Sequence, residues 1–392
     1  MRTITFLHQF DPAAANVGGI ENYILSFIAN APSGYRFQVI GVTANKHALF
    51  QWKTIKIKHK AVQVYAVCTV KQNNLKPILP ITLRYSLGLL RARFKIKLNG
   101  ILLLQRPEYF LPLYASKIKK ILFIHNDLEK HHTPGSSESL WACFPNLYNF
   151  LFRFVLAKSL FIFSVNRNSV KTMHAMSSNV ANKVDFAPTW ADPSKFFRKN
   201  ASLKLALKKQ IAKEYHVSHE KPWLIFAGRF QKQKNIDFLI QSFACLNDDS
   251  LLFMAGTGNE DQTIKQLVLT LGLTQRVVFL GKISHYRIAD FLHAANAYVS
   301  SSHYEGMSIA LLEALQTGTP VVTTPTGESR LIIQNGINGM VTDGWDKIEF
   351  ADAINTVLAF KDNRSEKCLN SVTRFNAENT ISNILGKVEQ YC

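Results

Sequence analysis

The segment HYEGMSIALLE, residues 303–313, decides the fold of the second half of this chain. An apolar run with the character of a strand, residues 297–299, precedes it, and its second half has the spacing of an amphipathic helix. The segment therefore predicts a strand, a short loop and a helix. In open α/β sheets, ligands bind where such loops leave the carboxyl ends of the strands, so we expect Glu305 and Glu313 near a ligand.

The spacing of these two glutamates suits a long ligand. They are eight residues apart, which is roughly 12 Å along a helix and matches an extended sugar–diphosphate–ribose. Glu305 would accept sugar hydroxyls and Glu313 ribose hydroxyls. The amides of Met307, Ser308 and Ile309, at the helix N-terminus, would face the diphosphate. From these residues alone, a buried strand–helix unit with two solvated glutamates is an equally good interpretation.

A second cluster of charged residues follows another apolar run. KPWLIFAG, residues 221–228, has a polar start, a strand and a glycine turn, and a helix is expected from about residue 236. The loop between them would place Arg229 and Lys234 at a carboxyl edge. Because both cations bind phosphate oxygens well, the pair suits a diphosphate leaving group. Two solvated loop cations are the alternative.

These motifs, together with GGIE at residues 18–21, resemble the retaining glycosyltransferases of family 4. The resemblance follows the chain in the right order and is weakest between residues 40 and 120. It implies an α/β protein of the GT-B fold, with two doubly wound, Rossmann-like domains facing a cleft. It also implies a nucleotide-sugar donor on the C-terminal domain and an acceptor mainly on the N-terminal one.

The length and the alternation of elements predict the division of the chain. We expect an N-terminal acceptor-binding domain over residues 1–195 and a C-terminal nucleotide-sugar domain over residues 196–375. The polar run Asp192–Lys195 is interpreted as the linker. By the resemblance, a last helix within residues 376–392 crosses back to pack on the N-terminal domain.

The resemblance also implies roles for residues of the first half. Gly18 and Gly19 lie in a loop before a helix, where the backbone can approach a donor phosphate or an acceptor; a plain turn is the alternative. His125 ends an apolar run and would hydrogen-bond the donor's sugar or its transition state. The alternative interpretation is a histidine in the core whose hydrogen bonds are all made within the protein.

In the second half, residues 256–260 match the family's glycine turn. The backbone of Lys282 and Ile283 lies at the position where members of the family bind the nucleobase. The predicted catalytic residues are His125, Glu305, Arg229 and Lys234. The predicted donor-binding residues are Gly18, Gly19, Gly228, Arg229, Lys234, Lys282, Ile283, Glu305, Gly306, Met307, Ser308, Ile309 and Glu313.

Three segments depart from the family pattern. Residues 188–190 read PTW where the family often has Pro-Asn-Gly, and Ser308 stands where it usually has a second glycine. Residues 326–330, TGESR, replace the common Gly-Gly-x-x-Glu segment. The interdomain region and the far side of the donor pocket are therefore expected to differ.

The family needs no metal and no cofactor, and no His, Cys or Asp pattern in the sequence predicts a metal site. Retaining glycosidases hold two carboxylates about 5 Å apart, and Glu305 and Glu313 are too far apart along the chain for that. We therefore expect front-face transfer, in which the leaving phosphate accepts the acceptor's proton and Glu305 orients the sugar.

The net charge of +19 belongs to the first half of the chain. Residues 1–200 hold 27 Lys and Arg against 8 Asp and Glu, and residues 51–100 hold 11 cations and no acid. Such a bias attracts polyanions, either nucleic acid or an anionic membrane surface. No zinc-finger, homeodomain or RNA-recognition pattern accompanies it, so we expect a membrane and no nucleic acid.

The stretch from residue 83 to residue 97 predicts a basic amphipathic helix of the kind that lies in a bilayer interface. Its apolar and cationic members are Leu83, Leu87, Leu90 and Phe94 with Arg84, Arg91, Arg93, Lys95 and Lys97. A core-facing helix with a solvated basic face is the alternative. The aromatic stretch at residues 140–154 is too interrupted to span a membrane, and core and membrane interpretations of it are equally open.

Five cysteines without paired spacing indicate a reducing compartment. We therefore expect a cytoplasmic protein on the inner face of the cell membrane. A UDP-sugar is favoured over GDP-mannose as the donor, and a lipid-linked or cell-surface polysaccharide is expected as the acceptor. A nucleotide-sugar epimerase on the same fold and a basic nucleic-acid-binding protein are the alternatives.

Overall fold

A computed structural model describes most of the chain. The described residues are 2–14, 18–70, 79–96, 98–128, 145–360 and 364–391. The chain forms two compact units, of which unit 1 comprises Met1–Thr189 with Ala377–Cys392 and unit 2 comprises Trp190–Asn376.

The described strands and helices alternate through most of both units. The strands are β1 (Arg2–Leu7), β2 (Tyr35–Thr43), β3 (Trp52–Ile57), β4 (Lys60–Thr69), β5 (Ile101–Leu104), β6 (Lys119–Ile124), β7 (Phe161–Ser164), β8 (Val184–Phe186), β9 (Trp223–Ala227), β10 (Leu251–Ala255), β11 (Val277–Gly281), β12 (Ala297–Ser300), β13 (Val321–Thr323) and β14 (Gly339–Val341). The helices are α1 (Gly19–Asn30), α2 (Ile81–Ala92), α3 (Pro145–Lys158), α4 (Arg167–Met176), α5 (Ser178–Ala181), α6 (Ala201–Tyr215), α7 (Ile236–Ala244), α8 (Asp261–Thr270), α9 (His285–Ala294), α10 (Ile309–Gln316), α11 (Ser329–Ile332), α12 (Lys347–Leu358), α13 (Arg364–Val372) and α14 (Ala377–Gln390).

Each unit contains one twisted, mainly parallel sheet. The strand order is β3-β4-β2-β1-β5-β6-β7-β8 in unit 1 and β11-β10-β9-β12-β13-β14 in unit 2. Strands such as WLIFA and ILLL are apolar along nearly their whole length and buried, as expected of parallel strands covered on both faces. The α/β class and the doubly wound architecture predicted from the sequence are confirmed.

The strand order places a topological switch point in each unit. In unit 1 the chain returns to the other side of β1 when it forms β5, and in unit 2 it returns to the other side of β9 when it forms β12. The loops that follow such a strand pair diverge, which leaves a crevice at their carboxyl ends. Both switch points therefore define where a ligand of each unit is expected.

The C-terminal helix α14 belongs to unit 1, although it follows unit 2 in the sequence. Its Glu389 carboxylate pairs with the Arg2 guanidinium and accepts a 2.5 Å hydrogen bond from the Tyr35 hydroxyl. The Tyr391 ring lies 5.6 Å from that of Phe161, between centroids. These contacts join the end of the chain to β1, β2 and β7.

The division between the units falls after Thr189, ahead of the division expected after residue 195. Residues 192–195, the expected linker, lie in unit 2. There the Asp192 carboxylate accepts bonds from the Ser194 amide and hydroxyl and pairs with Lys195 at 3.1 Å. The next residue, Phe196, is fully buried, which anchors the segment.

Strand β3 is an element that the sequence did not predict. It pairs antiparallel with β4 at the edge of the sheet, and four of its six residues are exposed. Its sequence, WKTIKI, carries lysines, which protect an edge strand from pairing with other chains. Because cations and apolar residues are mixed in this segment, it lacks the apolar run by which the other strands were predicted.

The helix of the aromatic stretch begins at Pro145, and residues 140–144 of that stretch lie outside the described part of the chain. Within the described residues, Phe152 is buried in the core of unit 1 while Leu147 and Phe150 are exposed. No described helix is both long enough and apolar enough to cross a membrane.

Candidate functional site

Two loops meet at the switch point of unit 2. One follows β9 and carries Arg229 and Lys234, and the other follows β12 and carries Glu305. Because β9 and β12 are hydrogen-bonded parallel neighbours, their carboxyl ends lie side by side. The strand order therefore brings together charged residues that are 71 positions apart in the sequence.

An ion pair joins the two loops. The Lys234 Nζ lies 2.5 Å from Glu305 Oε1, and the Ser302 hydroxyl donates to the same oxygen at 2.8 Å. Both charged side chains are mostly buried, with 24% and 14% of their surface exposed. A cation expected at the diphosphate and a carboxylate expected at the sugar are thus direct partners.

Three hydrogen bonds to backbone carbonyls hold this ion pair in place. The Ser301 hydroxyl donates to the Lys234 carbonyl at 2.8 Å, and the Gln233 side chain donates to the Tyr304 carbonyl at 3.0 Å. The His303 amide donates to the Gln233 carbonyl at 2.8 Å. Three bonds between the loops restrict the Lys234–Glu305 geometry, because neither loop can shift without breaking them.

Two glycines let the loops after β10 and β13 approach the loops that carry Lys234 and Glu305. A Cβ on Gly256 would lie 1.8 Å from the Gly228 carbonyl oxygen, and one on Gly327 would lie 2.2 Å from that of Gly306. Both also have positive φ, +142° and +51°. Any side chain at either position would therefore push the β10 or β13 loop away from the charged loops.

The predicted phosphate-binding groups lie on the same unit. Arg229 is exposed and has no ion pair among the described residues. Helix α10 begins at Ile309, and the hydroxyl of its N-cap residue Ser308 does not cap it. A helix N-terminus without a side-chain cap keeps backbone N–H groups for an anion.

Glu313 lies on α10, 7% exposed. Its Oε1 lies 3.7 Å from the Nδ1 of His285, the first residue of α9. His285 follows directly on the loop that contains Lys282 and Ile283. The structure therefore brings Glu313 near the segment expected to bind the nucleobase, through a histidine that no sequence motif marks.

Tyr298 on β12 is buried, and its phenol is close enough to both glutamates to feel their charges. Its hydroxyl donates to the Ala227 carbonyl at 3.3 Å. Burial, followed by the nearby charges of Glu305 and Glu313, raises the pKa of Tyr298. The phenol therefore stays neutral and keeps its proton as a donor to the Ala227 carbonyl.

Unit 1 places a second polar cluster at its own switch point. His125 follows β6, and Gln105 follows β5, with Gln105 Oε1 2.6 Å from His125 Nε2. Since the Gln105 amide nitrogen donates to the Leu103 carbonyl at 3.4 Å, its oxygen is the acceptor. The proton of His125 is therefore assigned to Nε2.

The GGIE segment contributes to the same cluster. Gly18 is the N-cap of α1 and Gly19 begins it, which puts Glu21 in the first turn. The Glu21 carboxylate lies 3.4 Å from Nε2 of His8, a buried residue just after β1. Neither His8 nor Gln105 was identified from the sequence, because a lone polar residue after a strand carries no motif.

The predicted site residues therefore form three groups within the two units. Arg229, Lys234 and Glu305 follow β9 and β12 of unit 2, and Glu313 lies with His285 on the neighbouring helices. Gly18, Gly19 and His125 belong to unit 1. Within the described parts of the chain, no three His, Cys, Asp or Glu side chains are placed to hold a metal ion.

Comparison with known sequences identifies the second half of the chain. Residues 208–371 match the family model of glycosyl transferases group 1. The N-acetyl-alpha-D-glucosaminyl L-malate synthase of Bacillus anthracis is 29% identical over 245 residues, which cover 61% of this chain and 61% of that protein. The chain spans between 34% and 61% of the length of the first curated relatives that it matches.

Comparison with solved structures identifies the fold. Sucrose-phosphate synthase from Thermosynechococcus elongatus has a TM-score of 0.79 at 17% identity and covers 100% of this chain and 99% of its own. Anabaena HepE in complex with UDP-glucose has a TM-score of 0.71 at 16% identity, with 99% and 100% covered. Likeness at such identities shows the shared GT-B fold alone.

The Gln105–His125 contact predicts a single tautomer, and burial predicts that the imidazole stays neutral. Burial, reinforced by the charge of His8, lowers the pKa of His125 to about 3. We expect ¹⁵N spectra of histidine-labelled protein to show one neutral tautomer, protonated on Nε2, from pH 8 to pH 5. The Gln105→Leu variant should lose this tautomer preference. A His125 titration near the ordinary value of about 6.5 would contradict the assignment.

The same depressed pKa has a consequence for stability. An unfolded histidine binds a proton below about pH 6.5, whereas folded His125 does not until about pH 3. The contribution of this site to the free energy of unfolding is therefore present at neutral pH and falls as the pH drops from about 6.5 towards 3.

Proposed function

We propose that this chain, which belongs to the group 1 glycosyl transferases through residues 208–371, moves a hexose from a nucleotide diphosphate sugar to a lipid-linked or cell-surface polysaccharide. The observation that carries the proposal is the Lys234–Glu305 pair at the switch point of unit 2, beside exposed Arg229. A cation and a hydroxyl-binding carboxylate at one crevice match the two ends of a phosphate–sugar bond.

The proposed roles follow from the charges. The donor's diphosphate competes with Glu305 for the Lys234 ammonium, and the exposed Arg229 guanidinium supplies a second charge. As the bond between the sugar and the phosphate breaks, negative charge grows on the phosphate, where both cations stabilise it. Glu305, still held by the Ser302 hydroxyl, then orients the sugar through its hydroxyls.

The nucleotide end of the donor is assigned to Glu313. Its buried carboxylate on α10 accepts hydrogen bonds from the ribose hydroxyls, and the backbone of Lys282 and Ile283 contacts the base. A UDP-sugar is the favoured donor, supported by the shared fold with HepE, which was solved in complex with UDP-glucose. GDP-mannose is the alternative donor.

The transfer is proposed to retain the configuration of the sugar and to need no metal. The bond from the anomeric carbon to the leaving phosphate breaks on the same face on which the acceptor oxygen bonds. The acceptor's proton goes to the leaving phosphate, so no side chain has to act as the base. His125 is assigned to the hydroxyls of the transferred sugar, from which its Nδ1 can accept a hydrogen bond because its Nε2–H donates to Gln105.

The acceptor is proposed to be held at a membrane surface, on the evidence of α2. One side of this helix packs in the core of unit 1 through Tyr85 and Leu89. Its other side and the turn after it expose apolar residues and cations; the exposed apolar ones are Leu83, Leu87, Leu90 and Phe94. An exposed apolar stripe flanked by cations fits the interface of an anionic bilayer.

The cations beside this stripe are not all equivalent. Arg84 donates to the Thr69 carbonyl at 2.5 Å, so it is held at the end of β4. Lys97 lies outside the described part of the chain. Arg91 and Arg93 are exposed and are the proposed lipid-binding cations. The proposed location is therefore the inner face of the cell membrane, on the cytoplasmic side, without nucleic acid as a partner.

Removing either proposed phosphate-binding cation should slow transfer. Arg229→Ala and Lys234→Ala should each lower kcat/KM with a UDP-sugar by roughly 10²–10³-fold, as loss of one transition-state contact does elsewhere. Lys232→Ala, at an exposed lysine in the same loop, is the control and should be near normal. Turnover close to that of the wild type in both variants would refute the assigned roles.

Substitutions of the two glutamates should change different kinetic constants. Glu313→Gln should raise the KM of the donor and weaken binding of free UDP, because the residue is assigned to the ribose. Glu305→Gln should mainly lower kcat, because the residue is assigned to the sugar. Steady-state kinetics and UDP calorimetry separate the two, and an equal loss of free UDP binding in both variants would contradict the assignment.

The exposed face of α2 predicts salt-sensitive binding to vesicles that contain phosphatidylglycerol. Each cation near such a surface contributes about 1 kcal/mol, so Arg91→Gln with Arg93→Gln should weaken co-sedimentation roughly 30-fold. Lys209→Gln with Lys213→Gln removes the same charge from exposed positions on unit 2 and should have little effect. If the wild-type protein does not co-sediment with these vesicles at low salt, the membrane proposal is wrong.

A further inference from the structure

Unit 1 contains a pocket that the proposed reaction does not use. Its volume is about 420 Å³, and Gln38, Trp52, Gln63 and Lys95 line it. Ligand pockets in proteins commonly measure about 300–1,000 Å³. Thr5, which bonds to Gln38, lies three residues before His8 on β1, roughly 10 Å along the strand. The pocket is therefore separate from the His8 and His125 cluster.

The floor of this pocket is a relay of side-chain hydrogen bonds across three strands. The Thr5 hydroxyl donates to Gln38 Oε1 at 3.0 Å, and Gln38 Nε2 donates to Gln63 Oε1 at 2.9 Å. Gln38 is 9% exposed, so its orientation is fixed. Because the relay uses the oxygen of Gln63, the Gln63 NH₂ group is left as a hydrogen-bond donor towards the pocket.

The wall of the pocket is an exposed aromatic ring. Trp52 on β3 is 39% exposed. Its ring packs against that of Tyr65, directly opposite on β4, with 5.1 Å between centroids. Tyr65 therefore holds the indole at the edge of the sheet while part of its surface stays open. Among the described residues, no acceptor bonds to the indole N–H.

Lys95 supplies the charge of the pocket. Its side chain is exposed, and its ammonium lies 5.9 Å from the centre of the Phe50 ring. No carboxylate pairs with it within the described residues, and no acidic residue occurs between positions 51 and 100. The pocket thus has an open cation and two open N–H donors but no free carboxylate.

We propose that this pocket binds a sugar that carries a carboxylate or a phosphate, as a subsite for an acidic glycan. An aromatic face, whose π-system is negative, attracts the C–H groups of a sugar ring. Amide and indole N–H groups donate to ring hydroxyls, and Lys95 pairs with the acid. The choice of a glycan rests on the proposed function, whereas the preference for an anion rests on the pocket itself.

Nucleic acid is a poorer fit to the same side chains. Proteins that bind single strands combine a basic groove with several aromatic rings that stack successive bases. Here one open aromatic ring and one open cation line a pocket with a glutamine floor, which suits one sugar unit.

The test uses a hexasaccharide of hyaluronan, which alternates N-acetylglucosamine and glucuronate, against neutral maltohexaose. Saturation-transfer NMR on the full chain should show the acidic oligosaccharide binding at least about tenfold more tightly, as a charge-assisted hydrogen bond would give. Lys95→Gln should remove that preference, and Trp52→Ala should weaken both ligands. Lys53→Gln, next to Trp52 but on the opposite face of β3, is the charge-matched control and should bind as the wild type does.

Several results would overturn the inference. These are equal binding of the two oligosaccharides, equal losses in Lys95→Gln and Lys53→Gln, or tighter binding of hexathymidylate that depends on Trp52. If Trp52→Ala does not fold, Lys95→Glu tests the pocket from an exposed position and should abolish binding of the acidic ligand. Donor hydrolysis by the same samples reports on the proposed function separately, because no residue of the pocket belongs to the donor site.

Discussion

The ion pair between Lys234 and Glu305 is the contact around which the candidate site of unit 2 is organised. It joins the loops after two adjacent parallel strands, and the Ser302 hydroxyl fixes the shared carboxylate oxygen. A mostly buried ammonium without a partner would cost several kcal/mol, so the glutamate compensates its charge. In the proposed reaction, a diphosphate would offer the same ammonium a stronger partner and would free the carboxylate for sugar hydroxyls. One contact can thus couple donor binding to orientation of the sugar.

The rest of unit 2 keeps the two loops at this distance. The strand order puts β9 beside β12, and close backbone approaches at Gly256 and Gly327 bring the loops of two further strands against them. Unit 1 has a switch point of the same kind, but the side chain held there is uncharged. Its switch point holds His125 in one tautomer through Gln105, where burial keeps the ring uncharged. The repeated architecture therefore supplies charge in one unit and a neutral hydrogen-bonding group in the other.

The sequence predicted the fold and most elements because apolar runs and glycine turns are local signals. It could not show that Lys234 and Glu305 are partners, since their contact depends on which strands are neighbours. His285 and Gln105 were missed because each acts through a residue distant in sequence. Strand β3 was missed because Lys53 and Lys56 interrupt the apolar pattern. The sequence places Arg84 with the other cations of the amphipathic helix, whereas in the structure it bonds to the end of β4, a contact that only the folded chain creates.

The central claim is that a nucleotide diphosphate binds where Lys234 meets Glu305. The most direct measurement is the thermal unfolding midpoint of the full chain with UDP, GDP and uridine at increasing concentration. A ligand at 100 times its Kd stabilises the folded state by about 2.7 kcal/mol, so a diphosphate that binds at this crevice must raise Tm in a concentration-dependent way. The account predicts a rise with UDP, or with GDP if the donor is GDP-mannose, and little change with uridine, which lacks the phosphates. An unchanged Tm with both diphosphates at millimolar concentration, or an equal rise with uridine, would contradict it.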